Sequence, residues 1–294
     1  MQTELDTLIV ELYVQVDDLL KLLKVRQGPG RTPRLSDAEL VCLAVAQVLL
    51  GFNSERRWLR FASSRLGHLF PYLPQQPAYN TRLRASYRLL EHAIRHLAGL
   101  IPSWWDQLRL LDSTPVPCGA SRQTAERSQL GDWCNYGYCA SHSRYFWGLR
   151  LHLLTTPEGA VAAWCLADPK IGDREVAQAM LERIPIRDGL LIVADKGYAG
   201  RELEDFVIQL GATLVRPDRR NERHRHGSLG WIRQRIESVN DTLKGQLGLE
   251  HHGGRTRPGV LVRVAQRLLA LTAAIWHNWL TDAPRKRSLV AYDH

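Results

Sequence analysis

Cysteines, acidic residues and long apolar runs are all scarce in this sequence of 294 residues. The five cysteines are Cys42, Cys118, Cys134, Cys139 and Cys165. An odd, scattered set does not indicate a disulfide framework, so we expect a reducing, cytoplasmic environment. The most apolar late stretch, residues 260–280, contains Arg263, Arg267 and His277, which argues against a membrane span. The acidic, amphipathic first twenty residues are unlike a signal peptide.

Acidic residues are outnumbered by basic ones. The 39 Lys and Arg exceed the 30 Asp and Glu, which gives a formal net charge of +9. Such an excess suits a polyanionic partner, because each cation that neutralises a phosphate releases counterions. A soluble basic enzyme with no polyanionic partner is the competing interpretation, and charge alone excludes it only weakly.

The chain changes character near residue 105. Before it, apolar residues recur at helical spacing, Ser36 and Glu39 form a capping-box pattern, and residues 79–98 read as one amphipathic helix. After it, short apolar runs rich in β-branched residues alternate with helical patterns, which predicts a mixed α/β sheet flanked by helices. We therefore predict a helical N-terminal region over residues 1–104 and an α/β domain over residues 105–294.

Three acidic residues occupy positions with no evident structural purpose. Asp112 lies inside an apolar strand, Asp195 ends the strand LLIVAD, and Glu237 lies on a helix between Arg233 and Lys244. An isolated carboxylate in apolar surroundings is costly, but Mg²⁺ favours oxygen ligands and would neutralise a cluster of them. Two such ions about 4 Å apart can activate an attacking hydroxyl and stabilise a leaving oxygen in phosphoryl transfer. Each acid alone has a simpler explanation as a turn former, a helix cap or a solvated helix residue.

The segments around these acids resemble a known family. LLDSTPVP, VADKGY and the spacing R-x3-E-x6-K resemble the three motifs of DDE-type insertion-sequence transposases. LSDAEL and SERRWLRF are similar to the helical region of these enzymes, and residues 146–175 are similar to their second and third strands. The resemblance implies a ribonuclease H-like catalytic domain after residue 104, and a DNA-binding region before it. It also implies two Mg²⁺ ions, or Mn²⁺ ions in their place, held by Asp112, Asp195 and Glu237.

The same resemblance implies the substrate and the residues that contact it. The expected reaction is cleavage at the ends of a bacterial-type insertion sequence, followed by joining of the freed 3′-hydroxyl to target DNA. The partners would be double-stranded DNA, at terminal inverted repeats and at the target, and a second copy of the chain. Two readings compete: a metal-dependent nuclease without joining, and a non-catalytic DNA-binding relic. The residues expected to contact DNA are Arg233, Lys244, Lys196, Tyr198, Arg219 and Arg220.

Helical spacing adds a further candidate in the third motif. Arg233, Glu237, Asp241 and Lys244 are separated by four, four and three residues, so a continuous helix places all of them near one face. Asp241 is therefore an alternative third ligand. A surface ladder of ion pairs would show the same spacing.

Other clusters have weaker functional interpretations. A zinc site could be built from Cys134, Cys139, His142 and Cys118, but the spacing is wider than usual and incidental thiols are the simpler explanation. The basic loop after residue 215 is either a phosphate-binding arm or a solvated connector. Arg82, Arg84, Arg88 and Arg95 suggest a DNA-facing helix. Asp173 is interpreted, with its neighbours, as a turn or helix cap.

Overall fold

The computed structural model describes residues 4–24, 32–139, 143–218, 230–283 and 289. The chain forms two compact units, each a set of residues whose Cα atoms lie close to one another. Unit 1 comprises residues 1–100, 243–254 and 258–294, and unit 2 comprises residues 101–242 and 255–257. The residues that follow the third motif thus group with the N-terminal helices. The functional division predicted at residue 105 stays a prediction.

Unit 1 is helical throughout its described part. Its α-helices are α1 (Glu4–Leu22), α2 (Asp37–Leu49), α3 (Glu55–Arg65), α4 (Gln76–Ala85), α5 (Tyr87–Leu100) and α10 (Arg257–Leu280), the last of which begins in unit 2. The predicted capping box is present, because the Ser36 hydroxyl accepts from the Glu39 N–H and the Glu39 carboxylate accepts from the Ser36 N–H. The single helix predicted over residues 79–98 is instead two, which meet at Ser86. The Ser86 hydroxyl donates to the carbonyl oxygen of Arg82 at this break.

A buried charge cluster organises unit 1. Glu55, at the start of α3, is 6% exposed and forms an ion pair with Arg263 of α10. The amides of Gln76 and Asn80 on α4 donate to the same carboxylate at 2.9 and 2.8 Å. Three helices therefore meet at one acid whose charge is neutralised by an arginine and whose oxygens are satisfied by amides.

Helix α10 is long and apolar enough to span a membrane. However, 94% of its apolar 18-residue segment is buried within the protein. Two of its polar side chains donate hydrogen bonds inside unit 1. Gln266 donates to the carbonyl oxygen of Ala44 at 2.7 Å, and Arg267 donates to the carbonyl oxygen of Gly248 at 3.0 Å. These partners explain how a core helix accommodates an amide and a guanidinium.

Unit 2 is a mixed sheet with helices. Its strands are β1 (Leu108–Gly119), β2 (Asn135–Cys139), β3 (Arg144–Thr155), β4 (Val161–Ala167), β5 (Leu191–Ala194) and β6 (Thr213–Val215), and its α-helices are α6 (Arg122–Arg127), α7 (Asp173–Leu181), α8 (Arg201–Gln209) and α9 (Gly230–Asp241). Strand β3 pairs antiparallel with β1, β2 and β4, whereas β1, β5 and β6 run parallel. The core order is β4-β3-β1-β5-β6, and β2 lies beside the first half of β3. This is the ribonuclease H-like mixed sheet that the resemblance implied.

The two faces of this sheet have separate apolar cores. On one face, Leu111, Leu154, Ile192 and Ala194 pack with residues of α7 and α8. On the other face, Leu110 and Val193 pack with two isoleucines of α9. The alternation of side chains along each strand therefore assigns α9 to one face and both α7 and α8 to the other.

Strand β1 is longer than the apolar run predicted, and it contains Pro115 and Pro117. Its pairing with β5 ends at Leu111, so beyond that residue β3 is the one strand among the described residues that pairs with β1. A proline that lacks an N–H is tolerated on such an open edge. Strand β2 was not predicted, because its residues, NYGYC, have no apolar alternation of their own.

Candidate active site of unit 2

The parallel pairing of β1 with β5 brings the first two predicted acids together. The register ends with Leu111 opposite Ala194, and Asp112 and Asp195 are the next residues of their chains. Because side chains alternate, Asp112 takes the face of Leu110, and Asp195 takes the face of Val193. Both acids thus lie just beyond the segment in which β1 and β5 are paired, on the face covered by α9.

Asp112 is closely surrounded by donors and by other acids. The Asn240 amide donates to its Oδ2 at 2.6 Å, and the backbone N–H of Ser113 also donates to its carboxylate. Burial is the largest cause that raises the Asp112 pKa from 3.8 to about 7, and the negative charges of Asp195 and Asp173 raise it further. The site therefore holds more negative charge than its protein surroundings neutralise, which is the condition that a bound cation relieves.

Asp195 is exposed and begins a short 3₁₀ helix, Lys196–Tyr198. Its Oδ1 accepts from the Gly197 N–H at 2.7 Å, so the alternative role of Asp195 as a cap is also filled. A Cβ atom on Gly197 would lie 2.9 Å from Asp195 Oδ1 and 3.7 Å from Asp173 Oδ2. The glycine of the DKGY motif therefore leaves space between two carboxylates.

Glu237 is exposed on α9, one helical turn before Asn240. The helix is held by Ile232 and Ile236, which pack against the sheet, and by the hydrogen bond from Asn240 to Asp112. The structure thus places Glu237 on the helix that contacts Asp112, without bringing it into a preformed cluster. Within the described residues, no group of three or more His, Cys, Asp or Glu side chains is arranged to hold a metal ion.

Asp173 is a residue of the site that the sequence interpretation missed. The Arg150 guanidinium donates to both of its oxygens at 3.0 and 2.9 Å, and the Ser113 hydroxyl lies 3.4 Å from Oδ1. His152 Nε2 is 3.9 Å from the same oxygen. The signal available in the sequence was the pair of basic residues at alternate positions of the apolar strand β3, which required an acidic partner.

His152 and Tyr198 complete this polar region and are both almost wholly buried. Burial lowers the His152 pKa to about 4, the Asp173 charge opposes that shift, and the Arg150 charge adds to it, so the ring is neutral at pH 7. Burial raises the Tyr198 pKa well above 10, and the nearby charges of Asp112 and Asp173 raise it further. Tyr198 is therefore a neutral side chain beneath the acids, with no exposed surface for DNA in this conformation.

The other residues predicted to contact DNA have mixed placements. Lys196 is exposed next to Asp195. Helix α9 ends at Asp241 and a π-helical turn, Thr242–Gln246, follows, so Lys244 does not continue the α-helical register of Glu237. The continuous α-helix predicted through Lys244 therefore ends three residues before it, and the DNA contact of Lys244 stays a prediction. Arg219, Arg220 and the Arg233 side chain lie outside the described parts of the structure.

Two arginines assigned to phosphate contact have partners in the protein instead. Arg216, at the start of the basic loop, is buried and forms an ion pair with Glu204 at 2.7 Å. Arg82 donates to the Leu35 carbonyl oxygen and to the Asp37 carboxylate at 2.5 and 2.6 Å. Arg84, Arg88 and Arg95 are exposed. Of the proposed zinc ligands, Cys118 and Cys134 hydrogen-bond to each other, and His142 lies outside the described residues.

A ribonuclease H-like mixed sheet therefore holds two aspartates side by side, one within β1 and one directly after β5. A protein-family model described as the transposase DDE domain matches residues 105–273, which is more than half of the chain. The chain therefore belongs to the transposase DDE domain family. Comparison with curated proteins gives no match.

Among solved structures, the chain is similar to a piggyBac transposase, seen by cryo-electron microscopy in a synaptic complex with hairpin DNA. The identity is 13%, the TM-score is 0.35, and the alignment covers 74% of this chain and 49% of the other. The chain thus spans about half the length of that transposase.

Proposed function

We propose that the protein is the transposase of a bacterial-type insertion sequence, which cleaves DNA at the element ends and joins the freed 3′-hydroxyls to target DNA. The observation that carries this proposal is the pair of acids, Asp112 and Asp195, which directly follow the last paired residues of the neighbouring strands β1 and β5, in the part of the chain that the family model matches. Burial raises the pKa of the Asp112 carboxyl to about 7 beside two other acids, and such a shift is typical of a functional site rather than of a purely structural residue.

The donor set suits a divalent cation. Asp112 and Asp195 supply hard oxygen ligands, and their mutual repulsion would be relieved by Mg²⁺ or Mn²⁺. Glu237 is one turn from the Asn240–Asp112 contact on an exposed part of α9, so rotation of its flexible side chain would complete the set. Asp241, the last residue of α9, is the alternative third ligand. When bound, two such ions would activate the attacking hydroxyl and stabilise the leaving oxygen.

The chain's own residues would orient the substrate and the ligands. Asn240 and the Ser113 N–H fix the Asp112 carboxylate, and the Gly197 N–H fixes that of Asp195. Lys196 is exposed immediately beside Asp195 and would contact a phosphate near the scissile bond. We extend the same role to Arg233, Lys244, Arg219 and Arg220. A homodimer that pairs two element ends belongs to the same proposal.

A DNA-binding role for the N-terminal region is supported by one helix face. Arg56, Arg57 and Arg60 are exposed on α3, together with Ser63 and Ser64. At 100° per residue, the five positions span about one third of the helix circumference, and within the described residues none of the three guanidiniums forms an ion pair. The acid of this helix, Glu55, is buried and already paired with Arg263, so the exposed face carries positive charge alone.

This face is tested by the salt dependence of duplex DNA binding. Replacing Arg56, Arg57 and Arg60 by Gln should lower the slope of log K against log salt by about 2 to 3, because each phosphate contact contributes about 0.9. Arg84, Arg88 and Arg95, which the sequence also predicts to face DNA, are changed to Gln as a second triple, so that the two candidate faces are compared after loss of the same charge. If both triples lower the slope equally, α3 has no special role in DNA contact.

The catalytic proposal is tested by strand cleavage of the DNA that flanks the native coding region. The parent chain, Asp112→Asn, Asp195→Asn and Glu237→Gln are compared with Mg²⁺, with Mn²⁺ and with neither. We expect metal-dependent cutting by the parent, and loss of cutting with retained DNA binding in all three variants. Cutting without joining would establish a nuclease, and binding without cutting would establish a DNA-binding relic.

A further inference from the structure

We propose that Asn240 is a positioning residue for the metal site, which orients the Asp112 carboxylate through a direct hydrogen bond. This inference rests on the proposed function, because it assigns Asp112 to a divalent cation. Asn240 lies three residues after Glu237 in the third motif, and it was given no role in the sequence analysis.

The geometry of the contact is specific. Asn240 Nδ2 donates to Asp112 Oδ2 at 2.6 Å across 128 residues of sequence, and both side chains are partly buried. Both residues line a small cavity between the sheet and α9, together with Leu110, Leu153, Thr155, Ile236 and Val239. Apolar neighbours on most sides leave the amide few alternative acceptors, so the hydrogen bond fixes the rotamers of both partners.

The chemistry explains why an amide suits this position. A Lys or Arg would pair with Asp112 and neutralise the charge that attracts the cation. An acid would add repulsion to a site that already holds Asp173 and Asp195 near Asp112. Asn donates one hydrogen bond without a net charge, so Asp112 is oriented and keeps its remaining acceptor positions for the ion.

The same bond connects two of the predicted ligands. Asp112 is on β1, whereas Asn240 and Glu237 are on α9, one turn apart. The packing of Ile232 and Ile236 sets the distance of α9 from the sheet, and the Asn240 amide sets its end against the carboxylate. Loss of the amide would therefore loosen both the orientation of Asp112 and the approach of Glu237.

The test measures binding of Mn²⁺ to the full chain without DNA, by electron paramagnetic resonance. Asn240→Leu keeps the side-chain volume and removes the donor, and Asn240→Ala is the second variant. Asn135→Leu is a matched control, because Asn135 donates to Asp168 Oδ2 at 2.5 Å in the same unit. Thermal unfolding of every variant checks the fold, and cleavage is measured across a Mn²⁺ titration.

We expect both Asn240 variants to bind Mn²⁺ about 10- to 100-fold more weakly, as is typical when a hydrogen-bond partner of a metal ligand is lost. Cleavage should return toward the parental rate at saturating Mn²⁺, which loss of a structural contact alone would not produce. The Asn135 variant should bind Mn²⁺ as the parent does.

Parental Mn²⁺ affinity in folded Asn240→Leu, with binding abolished by Asp112→Asn, would overturn the role of Asn240 and leave the metal site intact. A parent chain that binds no Mn²⁺, or that binds it equally after Asp112→Asn, would overturn the proposed metal site and this inference together. Mn²⁺ binding by the parent and by Asp112→Asn therefore distinguishes failure of the metal site from failure of the role of Asn240.

Discussion

Replacing Asp112 by Asn should make the metal-free protein more stable at neutral pH. The folded protein raises the pKa of Asp112 from 3.8 to about 7, mainly through burial, so ionisation disfavours folding. At about 1.36 kcal/mol per pKa unit, the penalty above pH 7 is at most about 4 kcal/mol, and partial exposure to solvent reduces it. Asn keeps an oxygen that can accept from Asn240 and carries no charge.

The pH dependence has a definite sign. Below pH 4 the carboxyl group is protonated in both the folded and the unfolded state, so parent and variant differ little. Between pH 4 and 7 the unfolded state ionises first, and the parent loses stability as pH rises. Above pH 7 both states are ionised and the difference reaches its plateau. The variant should therefore gain its advantage between pH 4 and 7.

Urea unfolding in EDTA at several pH values measures this difference. Asp205→Asn is a control, because Asp205 is exposed and about 3.7 Å from its nearest guanidinium partner. Added Mn²⁺ should restore stability to the parent and not to Asp112→Asn. An Asp112→Asn protein that is less stable than the parent at pH 8 in EDTA would refute the electrostatic account of this site.

Two further predictions concern the framework that holds the site and the helices. Arg263→Ala should destabilise unit 1 by about 3–5 kcal/mol, because Glu55 would stay buried with amide donors and no cation. Thermal unfolding measures this loss of stability. The double variant Glu55→Gln with Arg263→Met should recover much of it. Gly148→Ala should prevent normal pairing of β1 with β3, because its Cβ would lie 2.2 Å from the Val116 carbonyl oxygen. Circular dichroism should show a loss of folded protein in Gly148→Ala, whereas Gly99→Ala, whose Cβ meets no atom within 4 Å, should fold normally.

The sequence was sufficient to predict the features that depend on local patterns. Apolar strands that alternate with helices predicted the mixed sheet, and the capping pattern at Ser36 predicted the start of α2. The acids Asp112 and Asp195 could be chosen because a carboxylate inside a buried apolar strand, or directly at its end, conflicts with its surroundings. The roles of these two acids and of Glu237 stay predictions.

Features that depend on long-range pairing were not accessible from the sequence. Asp173 reads locally as a helix cap, and only the fold brings it to Arg150 of β3. Asn240 reads as an ordinary helix residue, although it contacts a side chain 128 residues away. Arg82 and Arg216 look like free cations in the sequence, but tertiary contacts pair both of them and bury Arg216. In each case the missing information is which charged or polar group lies opposite, and periodicity carries none of it.

The most direct test of the central claim is strand transfer by the parent chain. A labelled DNA end with a free 3′-hydroxyl, taken from the border of the native element, is incubated with a supercoiled plasmid and Mg²⁺. We expect covalent joining of the label to the plasmid, absent without metal and absent in Asp112→Asn and Asp195→Asn. Joining that persists in both variants, or a folded parent that binds the end and never joins it, would contradict the account.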